Sequence, residues 1–192
     1  MRLFVAAHPS QEVRTKAAAC ADRLRARLEH AGVARGLRWI APGNMHLTVW
    51  FLGEVSDARA GAVLETLQLP IAVPPFELHV AGFGAFPPSG PPRVLWMGVT
   101  RGLRELAQLH DEVGARLQPW GFPPEGRAYS AHLTMARIKE PPHGAARAAL
   151  RNVVTHEPGD AGTCRIDHLT VFRSRTAPVG AAYEPLLRVP LT

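Results

Sequence analysis

The sequence predicts an α+β protein with two pseudo-symmetric lobes of mainly antiparallel sheet, helices on the outer faces and a central cleft. One reason is a repeated motif, because His46-Leu47-Thr48-Val49 in the first half returns as His132-Leu133-Thr134-Met135 in the second. Another is the order of elements, in which long helices alternate with hairpin-like pairs of strands. A duplicated motif suggests a duplicated half, and two halves that face one another would bring both copies to one cleft.

The first half of the chain carries clear start and stop signals for its elements. Ser10 is a helix N-cap and Gly32 a helix stop, while Ser56 opens a second helix that Pro70 closes. The predicted elements of this half are strands over 2–7, 37–40 and 46–53 and helices over 11–30 and 56–68.

In the second half, alternating apolar residues indicate strands and a leucine-rich stripe indicates a helix. Leu103, Leu106 and Val113 lie at helical spacing, and Pro141-Pro142 break the chain before a further short helix. The predicted elements of this half are strands over 76–83, 94–99, 130–138, 164–174 and 182–190 and helices over 101–118 and 144–152. No linker separates the halves, so we predict a single bilobal domain over residues 1–192.

The charge balance favours an anionic partner but does not decide the matter. The net charge is +6 and the isoelectric point about 10.3, and nearly all of the positive charge is arginine, because Lys16 and Lys139 are the only lysines. Arginine's planar fork suits phosphate, which favours a partner such as nucleic acid. A GC-rich or heat-adapted genome would give the same bias.

The cysteines and the hydropathy predict the cellular compartment. Cys20 and Cys164 have no metal-binding spacing, which favours a reducing environment over a disulfide scaffold. The opening apolar run is too short for a signal peptide, and no run reaches the ~18 apolar residues of a membrane span. The sequence therefore predicts a soluble, cytoplasmic protein.

Each motif places an imidazole and a hydroxyl two residues apart, and therefore on one face of a strand. Histidine titrates near neutrality, so one of a pair can act as base while the other acts as acid on a phosphodiester. Thr48 and Thr134 would donate hydrogen bonds to non-bridging phosphate oxygens. Arg137, further along the second strand, would neutralise the phosphate or hold the chain beyond it.

A simpler interpretation is that His46 and His132 are half-exposed strand residues and that their threonines serve β-propensity. A glutamate at the same offset after each histidine, Glu54 and Glu140, favours the duplication instead. A zinc site lacks a third ligand at a suitable spacing. A third copy of the motif begins at His168, too soon after the second to be the facing half of a duplication, so we interpret His168 as a polar strand residue.

Over nearly its whole length, the chain resembles the bacterial and archaeal RNA 2′,3′-cyclic phosphodiesterases, historically called 2′-5′ RNA ligases, of the two-histidine phosphoesterase superfamily. Both motifs are similar to that family's signatures. The flanking segments that carry the resemblance are 2–6, 38–40, 83–87, 92–96, 169–174 and 183–186. One departure is Ala131, where the family usually has proline before the second histidine, and no catalytic atom is lost by it.

The resemblance implies a metal-free and cofactor-free opening of a 2′,3′-cyclic phosphate to a 2′-phosphate. By that analogy His46 is the proton donor to the departing O3′, and His132 is the proton acceptor that activates water. Thr48 and Thr134 would hold the phosphate with help from Arg137.

The partner implied by the resemblance is RNA with 2′,3′-cyclic phosphate ends, tRNA halves among the candidates, with reversible 2′-5′ ligation as a side activity of a monomeric enzyme. Phe51, Trp39 and Tyr129 are predicted to contact this substrate by stacking on bases. Two alternatives stay open. One is the same mechanism on a small cyclic phosphate or cyclic nucleotide, and the other is a non-catalytic RNA-binding module.

Overall fold

The structure, a computed structural model, describes residues 1–123, 126, 128–177 and 180–192. Its strands are β1 (Arg2–Ala7), β2 (Leu37–Trp39), β3 (Leu47–Glu54), β4 (Phe76–Phe86), β5 (Val94–Arg101), β6 (Leu133–Ile138), β7 (Asp160–Ile166), β8 (His168–Ala177) and β9 (Gly180–Pro190). Its α-helices are α1 (Gln11–His30), α2 (Asp57–Thr66), α3 (Leu103–Leu117) and α4 (Gly144–His156), and short 3-10 turns cover Pro42–Asn44 and Gln118–Trp120.

These strands form two antiparallel sheets. The first sheet has the strand order β3-β1-β8-β9 and the second the order β2-β6-β5-β4-β7. Every neighbouring pair in both sheets is antiparallel. The first motif strand, β3, lies at an edge of the first sheet, and the second motif strand, β6, lies one place in from an edge of the second. The predicted α+β class is confirmed.

Two helices join the sheets by crossing between them. Helix α1 follows β1 of the first sheet but packs against β7 of the second, whereas α3 follows β5 of the second sheet and packs against β3 of the first. The hydroxyl oxygen of Ser10 caps α1 by accepting from the backbone N–H of Val13, as predicted from the sequence. The largest buried cluster contains residues of both sheets, Val5 and Val80 among them, so the two sheets share one apolar core.

Among the described residues, no helix is both long enough and apolar enough to cross a membrane.

The predicted boundaries of α1 agree with the structure, but one strand was missed. A single strand was expected over 164–174, where the chain instead completes β7 at Ile166 and starts β8 at His168. Asp167 lies between them, and there the chain passes from the second sheet to the first. No glycine or proline marks this passage, so the sequence offered no stop signal. Helix α4 also continues to His156, beyond its predicted end at residue 152.

A glycine sets how closely α3 approaches the first motif strand. Gly114 faces the indole of Trp50, and a Cβ at that position would lie 2.6 Å from Cζ3 of the ring. Trp50 itself is buried on the inner face of β3. The missing side chain therefore lets the large ring fill the space between helix and sheet.

We expect Gly114→Ala to lower the free energy of unfolding by about 1–2 kcal/mol, because the strain of overpacking exceeds the gain in helix propensity. Gly61→Ala in α2 is the matched control, because Gly61 is exposed and a Cβ there has no neighbour within 4 Å. That variant should stabilise the protein by roughly 0.5–1 kcal/mol. Urea unfolding of both variants measures the difference, and a stabilised Gly114→Ala protein would contradict the packing described.

Candidate active site

The two motif strands bury their residues in the same order. Residues 47–52 and residues 133–138 both run buried, half-buried, buried, buried, exposed, buried. The two buried residues in succession mark a β-bulge. Strand β1 pairs with the residues of β3 on either side of Val49 but not with Val49 itself. Strand β5 likewise pairs with the residues of β6 on either side of Met135 but not with Met135. Each bulge follows its threonine directly, so the two strands share a local backbone irregularity as well as a motif.

The bulge decides which further side chain joins each histidine and threonine. In a regular strand, alternation would turn Phe51 and Arg137 toward the core, because each lies an odd number of residues after its histidine. The extra residue shifts the alternation by one and returns both side chains to the exposed side. Phe51 and Arg137 therefore occupy equivalent positions in the two halves.

The two motifs meet at one cavity of about 340 Å³. Its described lining residues are Arg2, Phe4, Ile40, Asn44, His46, Thr48, Phe51, His132, Thr134, Arg137, Ser174, Ala181 and Tyr183. The structure thus brings together both histidines, both threonines, Arg137 and Phe51. No aspartate or glutamate is among these described lining residues.

Both histidines are held by the same type of backbone hydrogen bond. Nδ1 of His46 lies 2.7 Å from the carbonyl oxygen of Asn44, and Nδ1 of His132 lies 2.8 Å from the carbonyl oxygen of Ser130. A carbonyl only accepts, so Nδ1 carries a proton in both rings. Proton transfer to and from substrate therefore falls to Nε2 in each ring.

The first histidine is also oriented by its neighbours. Its ring packs 4.7 Å from the ring of Phe4 and edge-on to Tyr183 at 5.1 Å. The side-chain amide of Asn44 donates to the carbonyl oxygen of Ala181 at 2.7 Å, which ties the turn before β3 to strand β9. On the second sheet, His132 meets the ring of Phe86 edge-on at 5.0 Å. These contacts fix the direction in which each imidazole faces the cavity.

The electrostatics of the cavity favour an anion. Burial lowers the pKa of His46 below its ordinary value, and the positive charges of Arg137 and His132 lower it further. The hydrogen bond to Asn44 acts in the opposite direction and raises that pKa. A negatively charged ligand would offset the two cationic contributions.

Two of the predicted substrate-binding aromatics lie elsewhere. Tyr129 is half-buried, its hydroxyl donates to the carbonyl oxygen of Thr48 at 3.2 Å, and its ring stacks on His110. Burial raises the pKa of Tyr129. Trp39 packs under the guanidinium of Arg25, 5.0 Å away. Neither is among the described residues that line the cavity. Tyr129 instead contacts the first motif strand, β3, through its hydrogen bond to Thr48.

The third copy of the motif lies outside the cavity lining. The ring of His168 is hydrogen-bonded to Asp167, which also pairs with Arg188. Thr170 is buried and borders a smaller neighbouring cavity of about 260 Å³ that also touches His46. This placement agrees with the interpretation of His168 as a polar strand residue.

Sequence reasoning missed several lining residues, of which Arg2, Asn44 and Tyr183 are the polar ones with a defined contact. Arg2 and Tyr183 lie on strands far from the motifs in sequence, so their place at the cavity follows only from the strand order β3-β1-β8-β9. Asn44 lies two residues before His46, and its proximity to the motif is the only signal that the sequence offers for it.

No group of three or more His, Cys, Asp or Glu side chains close enough to hold a metal ion occurs in the part of the chain that the structure describes.

A family model, LigT like Phosphoesterase, matches residues 13–96 and again residues 99–183. The chain belongs to this family. Each matched segment contains one of the two motifs that line the cavity, so the LigT-like family match follows the same duplication as the bulged strands. The family resemblance predicted from the motifs is confirmed.

Relatives of this LigT-like phosphoesterase match it over nearly their full length. It is 34% identical to the RNA 2′,3′-cyclic phosphodiesterase of Aeropyrum pernix over 169 residues, covering 87% of this chain and 92% of the relative. It is 30% identical to the RNA 2′,3′-cyclic phosphodiesterase of Thermotoga maritima over 187 residues, covering 97% and 93%. The crystal structure of E. coli LigT complexed with 3′-AMP superposes with a TM-score of 0.76 at 26% identity, covering 100% of this chain and 98% of that one.

We expect Arg137→Gln to raise the pKa of His46, because it removes a positive charge that disfavours the imidazolium. The pKa should stay below the ordinary value of 6.5, since burial is the larger cause and remains. Arg104→Gln, at an exposed position of α3, is the control and should leave His46 unchanged. NMR titration of the imidazole carbon-bound protons measures all three proteins. A His46 pKa that does not move in Arg137→Gln would contradict the proximity of these two residues.

Proposed function

We propose that this chain hydrolyses 2′,3′-cyclic phosphate ends of RNA to 2′-phosphates, with one histidine as acid and the other as base. The observation that carries the proposal is the convergence of both His-x-Thr pairs on one cavity. The names of the relatives from Aeropyrum pernix and Thermotoga maritima, both RNA 2′,3′-cyclic phosphodiesterases, support the same reaction.

The reaction requires two proton transfers on opposite sides of one phosphorus atom. Nε2 of His132 takes a proton from water, and the water oxygen attacks phosphorus. The bond between phosphorus and O3′ breaks, and Nε2 of His46 gives its proton to O3′. The products are a 2′-phosphomonoester and a free 3′-hydroxyl, and each proton transfer contributes typically about 10²- to 10⁴-fold in rate.

The threonines and the arginine act on the phosphate itself. Thr48 and Thr134 each lie two residues after a histidine and line the same cavity, so their hydroxyls are placed to donate to the two non-bridging oxygens. The guanidinium of Arg137 adds a full positive charge on the side of the second motif. Negative charge that builds up in the transition state is thus met by groups already in place.

The lowered pKa of His46 fits a proton donor once substrate is bound. Burial is the largest cause that lowers the pKa of His46, and the charges of Arg137 and His132 lower it further. A bound phosphodiester brings a negative charge that opposes both, so the pKa of His46 rises and the protonated form becomes available. The imidazolium of His46 can then give its proton to O3′, which is a poor leaving group without one.

The proposed mechanism needs neither a metal ion nor an organic cofactor. The described lining residues offer two imidazoles, hydroxyls and guanidinium groups but no carboxylate, and hard cations prefer carboxylate oxygens. The same steps in the same direction, with a 5′-hydroxyl of a second RNA in place of water as the nucleophile, would form a 2′-5′ linkage and free the 3′-hydroxyl. Ligation is therefore part of the proposal, and its reversal is attack of that 3′-hydroxyl on the linkage, which regenerates the cyclic phosphate and the 5′-hydroxyl.

We expect His46→Gln and His132→Gln each to lower kcat/KM for an oligonucleotide with a 2′,3′-cyclic phosphate end by about 10²- to 10⁴-fold. His168→Gln is the matched control, because His168 has the same sequence motif but lies outside the described cavity lining, and its rate should stay near that of the unmodified enzyme. The assay is run in excess chelator, and the position of the product phosphate is determined. Normal rates in both cavity variants, or loss of activity on chelation, would contradict the mechanism.

We expect a bell-shaped pH profile that reports the histidine pair. Because a bound anion raises the pKa of His46, the kcat profile should be shifted toward higher pH relative to the kcat/KM profile, which reports the free enzyme. Initial rates between about pH 5 and 9 measure both limbs. A flat profile would contradict paired acid and base roles.

A further inference from the structure

Arg2 lies at the same cavity as the motifs, although no reaction step above uses it. It begins β1, is exposed, and is among the lining residues together with Phe51. Its guanidinium carbon lies 5.0 Å from the centre of the Phe51 ring. A guanidinium packed over a ring keeps its N–H donors available in its own plane, so Arg2 is held at the cavity wall with its hydrogen-bonding groups still usable.

The number of charges in the cavity exceeds what a cyclic phosphate requires. A cyclic phosphodiester carries one negative charge, and Arg137 alone supplies one full positive charge. Arg2 adds a second. Neither guanidinium forms an ion pair with any described residue, and no carboxylate is among the described lining residues. The cavity therefore presents two arginine charges that the described lining does not neutralise.

The two arginines approach the cavity from different sides. Arg137 belongs to β6 of the second sheet, and Arg2 belongs to β1 of the first. Arg2 packs on Phe51, and Phe51 is the equivalent of Arg137 in the other half of the duplication. Because the two guanidinium groups come from different sheets, they suit two separate anions better than one.

We propose that Arg2 binds a second phosphate of the substrate, the 5′-phosphate of the nucleotide that carries the cyclic phosphate. In an RNA strand this group is the internucleotide phosphodiester that links the terminal nucleotide to the rest of the chain. Phe51, 44% exposed beside Arg2, would stack on the base of that same nucleotide. The proposal rests on the proposed function and deepens it, because Arg2 then selects RNA ends over 2′,3′-cyclic mononucleotides that lack a 5′-phosphate.

The test compares ligands that differ only in the 5′-phosphate. Calorimetry measures binding of a nucleoside 2′-monophosphate and of the corresponding 2′,5′-bisphosphate to the unmodified protein, Arg2→Gln, Arg2→Lys and the control Arg104→Gln. We expect the 5′-phosphate to improve affinity about 10- to 100-fold in the unmodified protein and in Arg104→Gln. Arg2→Gln should lose nearly all of this gain, and Arg2→Lys should keep part of it through charge alone.

Hydrolysis gives a second and separate readout. A nucleoside 2′,3′-cyclic phosphate and its 5′-phosphorylated form are compared as substrates, and Arg2→Gln should reduce kcat/KM about 10- to 100-fold only for the second. A 5′-phosphate gain in affinity that survives in Arg2→Gln would overturn the role of Arg2, and so would an equal loss with both ligands. Absence of any hydrolysis alongside Arg2-dependent binding of the 5′-phosphate would instead overturn the proposed reaction.

Discussion

The site depends on the residue that directly follows the threonine in each motif strand. The pairing of β1 with β3 skips Val49, the pairing of β5 with β6 skips Met135, and the resulting bulge turns two successive residues into the core. Without that extra residue, the imidazole and hydroxyl would still share a face, but Phe51 and Arg137 would point into apolar surroundings. Burying a guanidinium without a partner is costly, so the bulge and the arginine depend on each other.

The relative position of the two His-x-Thr pairs at the cavity depends on how the two sheets are held together. Each half contributes one His-x-Thr pair to the cavity, so a small shift between the sheets would change the spacing of the two imidazoles. Helices α1 and α3 each start from one sheet and pack on the other, and one buried cluster spans both sheets. Gly114 of α3 also lies close against the ring of Trp50, so this helix packs directly on β3, the strand that follows His46. The spacing of the two imidazoles therefore rests on the packing of the core that the two sheets share.

Much of this arrangement could be predicted from the sequence because it is encoded locally. The motif pair, the caps of α1 and the turn signals all depend on neighbouring residues, and they predicted the class, the lobes and the histidines. Strand β7 was missed because the passage from β7 to β8 at Asp167 has no turn residue. The prediction that Trp39 and Tyr129 contact substrate rested on aromatic character, which does not say whether a side chain lies at a cavity or packs elsewhere, and both lie outside the described cavity lining. Arg2 was missed because its place at the cavity follows from the pairing of β1 with β3, which is a long-range property.

The inequality of Phe51 and Arg137 has a consequence for how a strand of nucleic acid can enter. A cavity with true twofold symmetry would accept a phosphodiester in either direction, and the two imidazoles would then be interchangeable. An apolar ring stands at one of the equivalent positions and a cation at the other. Arg2 packs on that ring, so a guanidinium lies near both positions, but an aromatic ring occupies only one of them. Under the proposed function, this difference between Phe51 and Arg137 would favour one direction of the bound chain, because a base can stack at only one of the two equivalent positions.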